Sequence, residues 1–452
     1  MTITAQQEWW RPDRGVAPAA GRGAPAAAGP ASSPVPFWAL VAFTFVLLAA
    51  PQNYLPILNT MRIALVAAAA AIGTHVYDRM RRHRPLTIVT GEIRITGWLV
   101  AWAVATIPFS IWPGGSVGVL LDQYVKTLAI FLVIANTVNS ESRLRVIAVG
   151  LTILAMPISV TGVENFLSGA FMVKEMSGAP ARIMGYEAGL AKNPNDLALI
   201  LNLILPISLA LVFITRRGIV RLALLAAVGV EALGVCITFS RAGFLSLAST
   251  ALIFAWTIRR RPERSWVYVC LAVLVLAVPL MPEKYFERLS TIGSIESDKS
   301  GSSQNRYAQQ VAAVHYVIGH PIIGAGLGMN NLAMNDDMHD WLYIHNVYLQ
   351  YAVDFGLPGL ILYVMLVAES VKSARSVQRR CADVPRLRDL FYLAAGVQTS
   401  LLAFAVSAFF SPVAYHFQFY YFAGLAVAVK SIYDTVTRAT PPVGGRESRV
   451  VG

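Results

Sequence analysis

From Leu390 to Val429 the chain runs 40 residues without an Asp, Glu, Lys or Arg. At a rise of about 1.5 Å per residue, some 20 apolar residues already cross a bilayer, so this run supplies two spans. Phe410-Ser411-Pro412 marks the break between them. Comparable runs recur at 37–61, 63–77, 95–121, 127–140, 146–163, 197–215, 222–239, 242–258, 265–282 and 355–368, that at 222–239 carrying Glu231. They are long and uncharged rather than amphipathic. Charged residues make up only 14% of the chain against 56% hydrophobic ones, where a soluble domain holds about 25% charged. The expected fold is an all-α polytopic membrane protein of about twelve transmembrane helices, and a soluble globular enzyme is excluded.

The net charge of +12 invites a nucleic-acid reading until the basic residues are placed. With the N-terminus in the cytoplasm, 27 of the 37 fall on the cytoplasmic side, among them Arg79 to Arg84, Arg216 to Arg221, Arg259 to Arg264 and Lys372 to Arg388. The other side holds nine, and Lys126 lies within a span. That asymmetry is what the positive-inside rule requires, so the charge records topology and no nucleic-acid partner. Residues 1–36, rich in Ala, Pro, Gly and Arg, are expected as a disordered cytoplasmic tail; 37–435 form one transmembrane domain, and 436–452 a second cytoplasmic tail. Two outward loops are long, at about 165–193 and 283–343, and chemistry is expected there. Three cysteines encode neither a disulfide framework nor a thiolate metal site.

The second loop contains His320-Pro321-Ile322-Ile323-Gly324-Ala325-Gly326-Leu327-Gly328, and then His345-Asn346-Val347-Tyr348-Leu349-Gln350 before Gly356-Leu357-Pro358-Gly359. Upstream stand Arg182-Ile183-Met184-Gly185, Asn193-Pro194-Asn195 and Thr238-Phe239-Ser240-Arg241-Ala242-Gly243. In this order, over roughly 180–430, they resemble the O-antigen ligase and O-antigen polymerase superfamily. Each motif alone is weak; the order on a many-span scaffold is informative. The resemblance implies a metal-independent, cofactor-free, C-type membrane glycosyltransferase in the bacterial inner membrane, working at the periplasmic face. Its donor would be an undecaprenyl-pyrophosphate-linked glycan, and its acceptor a glycan or lipid A-core.

The residues fit such chemistry. A guanidinium meets phosphate with two parallel charge-assisted hydrogen bonds. Arg241 interrupts an apolar hairpin at the outward end of two spans, where a lone charge is costly. Its bland alternative is an arginine snorkelling to headgroups. Arg306 and Arg182 are further anion-binding candidates; for Arg306 the alternative is a solvated loop charge. His345 is the candidate base, since neutral imidazole, with an ordinary pKa of about 6.5, can take a proton from an attacking sugar hydroxyl. A histidine beside an apolar helix is also often structural. Asn346 would orient the ring or a sugar hydroxyl, or else cap the following helix. Asn195, Gly324 and Gly326 complete the expected substrate-binding set.

Other features argue less. The glycine series follows no strand of a βαβ unit, so it is not a dinucleotide loop but a flexible turn near the headgroups. Asp336, Asp337, His339 and Asp340 read as a solvated acidic loop rather than a metal site. Asp122 and Lys126, one turn apart, neutralise each other, and Glu231 reads as a buried hydrogen-bonded carboxyl or a proton-relay group. Beside a ligase stand a polymerase of the same superfamily, a flippase or exporter of lipid-linked glycans, and a scaffold. A transporter would line a midplane cavity with its charges, whereas here the distinctive residues gather at the outward ends of spans.

Overall fold

The computed structural model describes residues 33–172, 182–183, 185–186, 191, 193–265, 302–338 and 343–438. Its principal helices are α1 (Val35–Ala49), α2 (Ile63–Arg81), α3 (Gly91–Thr106), α4 (Pro113–Thr137, with a π-helical turn at Leu120–Tyr124), α5 (Glu141–Leu167), α6 (Pro194–Ile214), α7 (Gly218–Ile237), α8 (Arg241–Ile258), α9 (Ser302–Gly319), α10 (Asn330–Met338), α11 (Val347–Cys381), α12 (Arg388–Ser407) and α13 (Phe417–Arg438). Seven of these, α4 to α8 with α11 and α12, are long and apolar enough to cross a membrane. The remaining spans expected from the sequence fall on α1, with 15 residues, on the shorter or more charged α2, α3 and α13, and on 265–282, of which 266–282 lie outside the described residues.

Helix starts follow the sequence. Thr90, Ser140, Asn193, Ser240 and Asn346 each accept a hydrogen bond from a backbone N–H of the first turn, which satisfies a donor with no helical partner. The 40-residue run breaks where expected, α12 ending at Ser407 and α13 starting at Phe417. The core is organised around α6, whose apolar length is wholly buried against α5, α7, α8 and α12, as an all-round apolar helix must be. Beside it Glu231 is fully buried and accepts from Ser208 Oγ at 2.8 Å, while Ser208 and Thr152 share a further 2.8 Å bond. The hydrogen-bonded carboxyl reading thus describes its environment.

The two ends of the bundle differ in charge. At one, the basic end, Arg145 reaches Asp389 at 2.7 Å and Arg388 reaches Glu263 and the Phe213 carbonyl at 2.8 Å each, so α5, α6, α8 and α12 are tied at one level. Arg79 donates to Asn136 there as well, at 3.1 Å. At the far end the loops 165–193 and 283–343 are partly structured. Phe171–Met172 pairs antiparallel with Arg182–Ile183, and α9 and α10 occupy the second loop.

Candidate functional site

The far end is shaped by a break in α11. Gly356 leaves the helical conformation (φ 67°, ψ −171°), and Pro358, which has no N–H, follows two residues later. Three consecutive carbonyls then need other donors. Val353 O accepts from Ala325 N at 2.7 Å, Asp354 O from Gly326 N at 2.9 Å, and Phe355 O from the Trp102 indole at 2.9 Å. Leu357 N in turn donates to Pro321 O at 2.8 Å. The glycine series is therefore a plug for a broken helix.

Its glycines are there for contact. A Cβ on Gly324 (φ +74°) would sit 2.4 Å from Val353 O, and one on Gly326 would sit 2.0 Å from Ser110 Oγ. The segment is a packed loop rather than a flexible turn, which gives Gly324 and Gly326 a structural reason to be glycine independent of any ligand. Asp354, buried completely, clamps the same loop: Oδ2 accepts from Gly328 N (3.1 Å), Asn330 Nδ2 (2.9 Å) and the Tyr415 hydroxyl (2.6 Å).

His345 lies half-buried just before α11. Its Nδ1 is 2.7 Å from Tyr343 O and 3.4 Å from Gln309 Oε1, both acceptors, so Nδ1 carries the proton and Nε2 of the neutral ring is left with its lone pair. Burial and the positive charge of Arg306 hold the imidazole below its ordinary pKa, against the opposing pull of the Tyr343 carbonyl. The structure thus brings His345 against α9, the helix that carries Arg306 one turn before Gln309. Asn346 caps α11, its side chain accepting from Leu349 N at 3.1 Å.

Asn195 is joined, at a second place, to the residue that precedes Arg241. Asn195 Oδ1 accepts from Ser240 Oγ at 2.9 Å, and Ser240 caps α8 directly before Arg241. Ile183, which follows the strand residue Arg182 in the chain, converges with Leu197 and Ile237 on Gly162. The last turns of α12 border both places, since Ser407 Oγ donates to Ser246 of α8 at 2.9 Å and Ala408 O accepts from Val347 N at 2.8 Å. Asp336 and Asp337 side chains, with His339 and Asp340, lie outside the described residues. Gln309, Asp354 and Tyr415 were not singled out by the sequence. Asp354 alone carried a signal, nine residues after His345 and two before Gly356.

Residues 222–364 match the model of the family described as O-antigen ligase. That stretch contains Arg241, Arg306, Gly324, Gly326, His345, Asn346 and Asp354, and stops just beyond the break in α11. No curated protein matches the chain.

Proposed function

We propose that this chain, which belongs to the O-antigen ligase superfamily, transfers a glycan from an undecaprenyl-pyrophosphate carrier to an acceptor at the periplasmic face of the inner membrane. The observation that carries the reading is the approach of α9 to His345, whose Nδ1 lies 3.4 Å from Gln309 Oε1, one turn after Arg306, at the end of the bundle opposite the ion pairs of Arg145 and Arg388. In this reading His345 Nε2 takes the proton of the acceptor hydroxyl as its oxygen bonds the anomeric carbon. The bond from that carbon to the pyrophosphate breaks, and the carrier leaves as the free pyrophosphate anion. A base near neutrality suits the first event, and a held-down pKa keeps it neutral beside a cation. Arg306, Arg241 and Arg182 answer the anion, guanidinium being the group that matches phosphate in two parallel bonds. Nothing in this chemistry calls on a metal.

The acceptor is proposed as lipid A-core or another terminal glycan; chain lengthening by a polymerase uses the same donor chemistry. Purified protein reconstituted with undecaprenyl-pyrophosphate glycan and candidate acceptors separates the two. Attachment to lipid A-core supports a ligase, growth of the carrier-linked chain a polymerase, and movement of intact carrier-linked glycan across the bilayer without transfer would overturn both.

A further inference from the structure

We propose that Asp354 is a positioning residue for transfer: it locks the segment α9 to α10 onto the bundle and thereby sets Arg306 against His345. The inference rests on the roles given to that pair above. Asp354 gathers three donors from two separate connections onto one buried oxygen. Gly328 lies in the loop between α9 and α10, Asn330 opens α10, and Tyr415 lies in the link between α12 and α13. Removing the carboxyl group would leave the buried Asn330 and Tyr415 and the half-buried Gly328 N–H unanswered, which is the costly outcome for polar groups.

Beyond Asp354, the segment is held by the backbone bonds of Ala325, Gly326 and Leu357 and by a small core of its own. That core joins Ala313 of α9, Ala325 and Met329 of the loop, Ala333 and Met334 of α10, and Ile344 and Val353 on either side of the start of α11. Three of these seven are alanines, which bury little apolar area. The same face of α9 that enters this core carries the site: Arg306, Gln309 and Ala313 are spaced for one helical side, and Ile344 directly precedes His345. A shift of the loop that Asp354 holds therefore moves Arg306 and Gln309 relative to the imidazole. Asp354 touches no reacting atom in this scheme; it acts through the loop.

The test reads docking without needing transfer. In a chain freed of Cys236, Cys270 and Cys381, Gln309→Cys and His345→Cys are joined in membranes by a short bifunctional thiol reagent. Adding Asp354→Ala should lower the yield severalfold, and Asp354→Asn, whose amide oxygen still accepts, should restore most of it. Tyr415→Phe, which removes one donor of the three, should fall between them and serves if Asp354→Ala fails to accumulate. In the cysteine-containing parent, Asp354→Ala should lower kcat about 100-fold, the scale of a displaced catalytic group, with KM little changed. Arg306→Ala should then add little to that loss, whereas independent roles would multiply. Unchanged cross-linking, or parental turnover in Asp354→Ala, overturns the proposal. Lowered cross-linking together with full transfer by His345→Ala would instead remove the base reading and leave the docking role standing.

Discussion

The Tyr343 carbonyl oxygen and the His345 Nδ1 lie 2.7 Å apart, and this one bond decides which ring nitrogen keeps its lone pair. With Nδ1 donating, Nε2 is the basic atom, and burial together with Arg306 keeps the ring neutral to lower pH than a solvated histidine. Transfer should accordingly persist through neutrality and fall only below the ordinary imidazole range. Arg306→Gln removes the repelling charge, so the pKa rises and the acid limb of kcat/KM against pH moves upward. An acid limb that stays put in Arg306→Gln would break the link between the two residues.

His345→Gln distinguishes a base from a cap or packing group. Glutamine accepts hydrogen bonds but cannot take the proton, so it and His345→Ala should both lose ~100 to 10,000-fold in turnover at near-normal protein levels. Parental turnover in the glutamine variant would end the base assignment.

The arginines should prove sensitive to shape as well as charge. Lysine offers a point charge without the planar fork, so Arg241→Lys and Arg306→Lys should transfer poorly, and the alanine variants worse. Full activity in both alanine variants, measured at equal expression, would leave Arg182 as the main anion-binding candidate.

For the glycine plug the expected effect is on stability. Gly324→Ala forces a side chain into left-handed backbone, at about 1–3 kcal/mol, and against the Val353 carbonyl besides. Thermal unfolding in detergent should occur at clearly lower temperature. Gly118→Ala, a helical position with nothing within 4 Å of the added Cβ, should be neutral or mildly stabilising. Equal melting of the two variants would mean the loop is not packed as described.

Orientation is open to direct labelling. In intact cells, cysteines placed at Ser300 and Asn335 should react with membrane-impermeant thiol reagents, and one at Pro262 should not, if the basic residues around 259–264 follow the positive-inside rule. The reverse pattern would put the proposed site on the wrong side for its donor.

The sequence made the spans and their breaks legible because lipid demands long uncharged segments and Pro412 interrupts one of them. It placed the start of one run at Phe355, after Asp354, whereas α11 begins at Val347. A carboxyl group is permissible so deep only because Gly328, Asn330 and Tyr415 answer it, and those partners are distant in sequence. For the same reason α9 and α10 look like loop: their polarity hides helices that need not cross the bilayer. Glycine is ambiguous in the same way, since a series that reads as mobile proves to be tight contact with Val353 and Ser110. His345 and Arg306 could be named singly; their pairing could not, being a product of how α9 docks.

The interrupted α11 also bears on biogenesis. A helix entering lipid with open carbonyls at Val353, Asp354 and Phe355 carries a penalty of several kcal/mol for each one left unpaired. Two of the donors, Ala325 and Gly326, lie about thirty residues earlier in the chain and the third, Trp102, far earlier still, so all are synthesised before the segment that needs them. The order of synthesis supplies the plug before the gap exists.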